Sequence, residues 1–151
     1  MVEGNHTVAR LRERFPQDAL EVSEFRGETS ITIPAPRVTD ICRFLRDEPG
    51  LQYDMLTDLT VVDQLGLGAS PRFVAVYTLT SLPHGQRVRL KAPIPSDPPT
   101  IASVTPIWPG ANWPEREAYD LMGVTFRGHP DPRRILLPQD WKGHPLRKDY
   151  L

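Results

Sequence analysis

Within six residues the chain sets Glu115, Arg116, Glu117 and Asp120, and farther on His129 and His144 each sit inside a Gly-His-Pro triplet. Two imidazoles near carboxylates are the residue types of a metal pair. The spacing argues otherwise: each histidine precedes a proline, which forces extended backbone, and no carboxylate stands at a recognised ligand interval. His129 and His144 are therefore expected to make structural hydrogen bonds. Behind them come the cations Arg133, Arg134, Arg147 and Lys148, and arginine suits bidentate recognition of carboxylates better than lysine does.

The same cations with Lys142, and with Trp141 or Tyr150 available for stacking, are also what a nucleic-acid-binding arm would use. The charge balance speaks against that reading. Net charge is −1 and pI about 6.4, where a nucleic-acid binder is usually strongly basic. The charge is unevenly spread: residues 124–151 carry six cations and three anions, a net of +3 that leaves −4 for the rest. An acidic body with a basic end predicts no nucleic-acid partner.

Other chemistries lack their residues. Gly66-Leu67-Gly68-Ala69-Ser70-Pro71 lacks the third glycine and the strand-to-helix setting of a dinucleotide site, and no Walker loop occurs. One cysteine, Cys42, cannot form an internal disulfide or hold an iron–sulfur cluster. It is expected to be a small buried residue on a helix face. No Ser-His-Asp or Cys-His order appears, so no autonomous active site and no cofactor or metal ligand is expected. The N-terminus has no apolar run resembling a signal peptide, and no stretch approaches the roughly 20 apolar residues of a membrane span.

The elements that must position these residues follow from periodicity. At 151 residues, 39% hydrophobic and 25% charged, the chain can bury one core. Val8, Leu11 and Phe15 predict a helix over residues 6–15, ended by Pro16. Residues 20–25 and 29–33 read as a strand pair around Arg26-Gly27. Val38, Ile41, Cys42 and Leu45 mark an amphipathic helix over 37–47. Three longer strands are predicted at 53–62, 72–82 and 87–92, the last with Val88, Leu90 and Ala92 on one face and Arg87, Arg89 and Lys91 on the other. The prolines of 93–99 make a stiff linker. Asn112 is expected to cap a helix over 112–123, with Glu115 returning in a capping box and Gly123 as the stop.

The fold class expected is therefore α+β, a mainly antiparallel sheet with flanking helices, followed by an extended irregular C-terminal arm. The division is residues 1–92 as the α+β domain, 93–111 as a Pro-rich linker, 112–123 as an acidic helix and 124–151 as a docking arm. The arm carries Pro130, Pro132, Pro138 and Pro145, yet also Phe126, Ile135, Leu136, Leu137, Trp141, Leu146, Tyr150 and Leu151. Apolar surface on a segment without regular structure calls for a partner.

The run Glu115-Arg116-Glu117-x-x-Asp120-Leu121-Met122, then His129, then Arg133-x-Ile135-Leu136, closely resembles the signature of the C subunit of proton-pumping NADH:quinone oxidoreductase, respiratory complex I. The ending Asp140-Trp141-x-Gly143-His144-Pro145-Leu146-Arg147-Lys148-Asp149-Tyr150 is similar to that family's C-terminus. The match is specific over about residues 108–150 and architectural before that. Met122 sits where an aromatic is common and Pro132 where leucine is. The resemblance implies a peripheral-arm subunit without flavin or cluster of its own, the FMN and iron–sulfur clusters lying in partner subunits. It implies docking on the D subunit, with the B and I subunits nearby, at the cytoplasmic side of the bacterial inner membrane. Membrane association would come only through the complex, which passes electrons from NADH to quinone and translocates protons. Sister complexes share the signature: the ferredoxin-fed cyanobacterial and plastid type, the type fed by a reduced deazaflavin coenzyme, and membrane-bound hydrogenases.

Under that resemblance Glu115, Arg116, Glu117 and Asp120 are expected as buried ionic anchors. Arg133, Arg134, Arg147 and Lys148 are expected to meet carboxylates of the partner, with Trp141, Leu146 and Tyr150 as apolar anchors. His129, His144 and Asp149 complete the set. Packing of the arm back onto its own domain is the competing arrangement.

Overall fold

Val8 and Leu11 are buried along one side of α1 (Glu3–Arg14), the first element, and Phe15 is buried just beyond its end. The computed structural model describes residues 3–18, 20–65, 71–131, 133–134, 136–137 and 141–147. Next comes an antiparallel hairpin, β1 (Glu21–Phe25) and β2 (Glu28–Thr32), turning through Arg26 and Gly27 at φ 53° and 82°. A short 3-10 turn, Ala35–Arg37, leads into α2 (Val38–Asp47), whose Val38, Ile41, Cys42 and Leu45 are all buried, as the spacing predicts. Burial pushes the Cys42 thiol far up, so it stays a neutral apolar residue.

Three nine-residue strands follow: β3 (Met55–Asp63), β4 (Phe73–Ser81) and β5 (Gln86–Ile94). The five strands form one sheet in the order β1-β2-β5-β4-β3. All pairings are antiparallel except β2 with β5, where Thr29 lies beside Val88 and Thr32 beside Lys91. The expected α+β class with a mainly antiparallel sheet is the one observed. One face of the sheet carries Phe73, Ala75, Tyr77 and Leu79 of β4 and Val88, Leu90 and Ala92 of β5 into the core. Each such fully buried large side chain contributes on the order of 1.5–3 kcal/mol.

Residues 93–111 are woven into this core. Ile101, Val104, Ile107, Trp108 and Ala111 belong to the same apolar cluster as the sheet, and the Trp108 indole N–H donates to the Tyr53 carbonyl at 3.1 Å. The Tyr53 hydroxyl in turn lies 2.8 Å from Thr7 Oγ1 of α1, so the one residue meets both α1 and Trp108. Residues Thr100–Ala102 form β6, which pairs in parallel with β7 (Thr125–Arg127). The backbone that the sequence reads as irregular from Val124 onward thus begins with a three-residue strand, with Val124 and Phe126 buried.

Between β6 and β7 lies α3 (Asn112–Met122). It ends where expected, at Gly123 in the left-handed region (φ 79°). Its start is corrected. The turn Pro109–Ala111 runs straight into the helix, the capping position falls on Ala111 without a side-chain bond, and Asn112 is already helical at φ −50°, ψ −56°. An asparagine in that conformation cannot cap, and Glu115 does not reach back to form a capping box.

Candidate functional site

Glu115 points inward from α3 to the loop after β6. Its Oε1 accepts from the Ser103 hydroxyl at 2.6 Å and its Oε2 from the Val104 N–H at 2.8 Å, with the residue 0% exposed. Burial raises its carboxyl above the usual range, and the bonds from Ser103 and Val104 oppose that rise. His129 Nε2 stands 3.9 Å from Glu115 Oε1. His129 Nδ1 accepts the Asp131 N–H at 2.9 Å. The ring hydrogen therefore sits on Nε2, which donates to the Asn112 carbonyl at 3.0 Å. Neither group has spare valence for acid–base work.

Asp120, farther along the helix, holds the following segment. Its Oδ1 accepts from Arg134 Nη1 at 2.6 Å, and its Oδ2 accepts the N–H groups of Leu136 and Leu137 at 2.7 and 2.9 Å. Arg134 continues to the Gly143 carbonyl at 2.9 Å. From the same helix Arg116 donates to the carbonyls of Arg133 and Arg134, both at 3.0 Å, while its guanidinium lies over the Trp113 ring. Arg133 forms a fork to Asp131 at 2.7 and 2.9 Å, which lowers the Asp131 carboxyl.

The last carbonyls of a helix have no partner inside it. Here the C-terminal segment supplies them: His144 Nδ1–H to Asp120 at 2.9 Å, the Leu146 N–H to Leu121 at 2.9 Å, and Arg147 Nε–H to Met122 at 2.6 Å. A cation at that end also meets the negative pole of the helix. A methyl group on Gly123 would stand 2.6 Å from Arg147 Nη2 and 2.7 Å from the His144 ring, so glycine is required by space as well as by φ.

The structure thus brings together Glu115, Arg116, Asp120, His129, Arg134, His144 and Arg147 as one polar clamp. Two expected roles take a different form within this chain alone. Glu117 is exposed and makes no ion pair among the described residues, so it is no buried anchor in this chain. Arg133, Arg134 and Arg147 are spent on this chain's own groups: Asp131, Asp120 with Gly143, and Met122 with the Phe73 ring. Trp141 and Leu146 are exposed, at 42% and 57%, as are Leu136 and Trp113 at 60% and 61%. Lys148, Asp149 and Tyr150 lie outside the described residues. Sequence reasoning missed Ser103, Val104 and Trp113. The first two act through a short hydroxyl and a backbone N–H, 12 and 11 residues from Glu115, and no local pattern marks them.

Beside the clamp a cavity of about 170 Å³ is lined by Glu115, Arg116, Tyr119, Thr125, Phe126 and His129. The carboxylate, guanidinium and imidazole in its walls are already hydrogen-bonded, so it offers shape more than chemistry. Among the described residues there is no group of three or more His, Cys, Asp or Glu side chains that could hold a metal. The chemistry of this arrangement is the fixing of one segment on another.

Residues 31–151 match the family described as the respiratory-chain NADH dehydrogenase 30 Kd subunit. The chain is 53% identical over 150 residues to the C subunit of the NADH-quinone oxidoreductase of Geobacter sulfurreducens, covering 99% of this chain and 91% of that one. It is 47% identical to the protein of the same name from Roseiflexus castenholzii, covering 99% and 85%. Among solved structures it is similar to a trypsin-resistant fragment (1-134) of Nqo5, with TM-score 0.69 at 28% identity over 84% of this chain and 97% of that one. A membrane-bound sulfane sulfur reductase, an archaeal respiratory membrane complex, shares the fold, with TM-score 0.72 at 24% identity over 98% and 85%.

Proposed function

We propose, from the premise that the chain belongs to the family of the respiratory-chain NADH dehydrogenase 30 Kd subunit, that it is a non-catalytic peripheral-arm subunit of an NADH:quinone oxidoreductase. The observation that carries this reading is the use of the family-like residues. Glu115, Arg116, Asp120 and Arg134 are consumed in holding a segment on α3, which leaves an ordered surface instead of an active site.

On this reading the complex passes electrons from NADH through FMN and iron–sulfur centres held by other subunits to quinone, coupled to proton translocation. This chain orders its neighbours. The D subunit docks on the surface of α3 and the C-terminal segment, where Trp113, Leu136 and Trp141 are exposed. Exposed aromatic groups beside arginine are the usual carriers of interface energy. The B and I subunits lie next to that assembly. No helix among the described residues is long and apolar enough to cross a membrane, and on this reading attachment to the cytoplasmic face of the inner membrane is through the complex.

Affinity purification of the tagged chain from native membranes, with subunit identification and an NADH:quinone assay, tests this. Recovery with D, B and a flavin-bearing NADH-oxidising module is the expected result. Recovery with D and B homologues but a ferredoxin, deazaflavin or hydrogenase module would move the chain to a sister complex, and recovery alone would overturn the proposal.

A further inference from the structure

Side chains alternate across a strand, and the apolar cluster uses one face of the sheet. The register gives the other face. Ser30, Arg89, Thr78 and Asp58 stand side by side across β2, β5, β4 and β3, and Thr32, Lys91, Val76 and Thr60 form the next row. All eight are exposed or half-buried. Val62, Val74 and Val76 of this face lie outside the cluster that fills the core. The helices are placed elsewhere: Val8 and Leu11 of α1 and Ile41 and Leu45 of α2 join the core side, and α3 packs on the edge strand β3.

β5 runs down the middle of this open face, and its outward residues Arg87, Arg89 and Lys91 repeat about every 7 Å. Arg89 meets the exposed Glu28 at 3.2 Å, a contact worth little in water. Arg87 and Lys91 have no hydrogen-bond or ion-pair partner among the described residues. On the neighbouring β4 the same face carries only valine and threonine. Its carboxylates stand toward the margins, Glu21 and Glu28 on the hairpin side and Asp58 on β3. Beside Lys91 the face dips into a hollow of about 300 Å³, lined in part by Val62, Val74, Val76 and Pro93.

A line of cations with an apolar hollow at one end and carboxylates along its margins selects its occupant. A second copy laid face to face would set cation against cation. A phosphate polymer or an anionic lipid surface is broad enough to meet Glu21, Glu28 and Asp58 as well. A narrow acidic stretch of protein meets the cations alone and can seat an apolar side chain in the hollow. We infer that the outward row of β5 is the docking line for an acidic segment of a neighbouring subunit, with its carboxylates on Arg87, Arg89 and Lys91 and an apolar residue against Val62 and Val76. The inference rests on the proposed place in a multisubunit complex, and it uses other residues than the exposed Trp113, Leu136 and Trp141.

Lys91 makes this testable without a mutation, because the chain has only two other lysines, Lys142 and Lys148. Acetylation of Lys91 by a small amine-reactive ester should be at least tenfold slower in the purified complex than in the full chain alone. A zero-length carbodiimide, which joins an amine only to a carboxylate it touches, should link Lys91 to an aspartate or glutamate of another subunit. Arg87→Glu with Lys91→Glu should lower retention of that subunit about tenfold, with the melting temperature of the chain alone unchanged. Equal acetylation in a complex that retains the chain would overturn the inference and leave the proposed function standing. So would protection of Lys91 with no link to another subunit's carboxylate, since the occupant would then not be acidic. Binding of single-stranded RNA or phosphatidylglycerol vesicles by the chain alone, lost in the double variant, would assign the row to a polyanion and overturn it too. Failure to recover any complex removes the functional reading instead, and is seen before lysine reactivity is measured.

Discussion

Glu115 shows how one residue's setting becomes a measurable property. Its carboxyl is raised by burial, so the folded chain holds its proton at pH values where the unfolded chain has lost it. Stability from this group is complete below the ordinary glutamate range and is lost as pH rises through the raised value. Glu115→Gln keeps an acceptor for the Val104 N–H and a polar partner for Ser103, and removes the titration. The melting-temperature difference between the Gln variant and the wild type should therefore be small in acid and grow in the variant's favour toward neutral pH. A difference independent of pH would show that Glu115 carries no such load. That Glu115 matters was legible in the sequence, but its partner was not: the capping-box reading fails because the preceding 3-10 turn makes Asn112 the first helical residue. Such a turn is set by how Trp108 and Ala111 pack in the core, which no local pattern encodes.

At the scale of elements, α3 and the segment after β7 make one unit. Among the described residues, the Asp120 carboxylate accepts hydrogen bonds from Arg134, Leu136 and Leu137 of that segment, and His144, Leu146 and Arg147 return donors to the last carbonyls of α3. Removing one member of a buried, fully bonded pair leaves the other charge unpaired, a loss of about 3–5 kcal/mol. Asp120→Ala should accordingly release residues 133–147 while the sheet stays folded. Limited trypsin digestion would read this as faster cleavage after Arg133 and Arg134 in the variant, and equal rates would refute the clamp. Helix, strands and the Gly123 stop were legible because each rests on spacing within one element. The pairing of Asp120 with Arg134 belongs to one of two arrangements the sequence leaves open, since an irregular stretch with many prolines carries no periodicity that says whether it turns back or reaches outward.

For the whole molecule, the intrachain use of Arg134 and Arg147 changes which residues can face a partner. The charged groups expected at an interface are mostly satisfied at home, and what remains outward includes a set of large apolar side chains: Trp113, Leu136 and Trp141. Docking by this surface is then driven by area and shape, with electrostatics used earlier, in shaping the surface itself. Trp141→Ala and Leu136→Ala discriminate this from a charge-led interface. Both side chains are exposed, so each change should shift the stability of the isolated chain by less than about 0.5 kcal/mol. Against a partner, truncating a central aromatic typically costs about 2 kcal/mol or more, roughly thirtyfold in affinity. The Trp141 variant should thus fold normally, as judged by its unfolding curve, and yet be depleted from complexes purified through the D subunit. Arg133→Ala, at a cation already paired with Asp131, should be retained almost fully. The reverse order of effects, with the arginine change costing more than the tryptophan change, would return the interface to the charges.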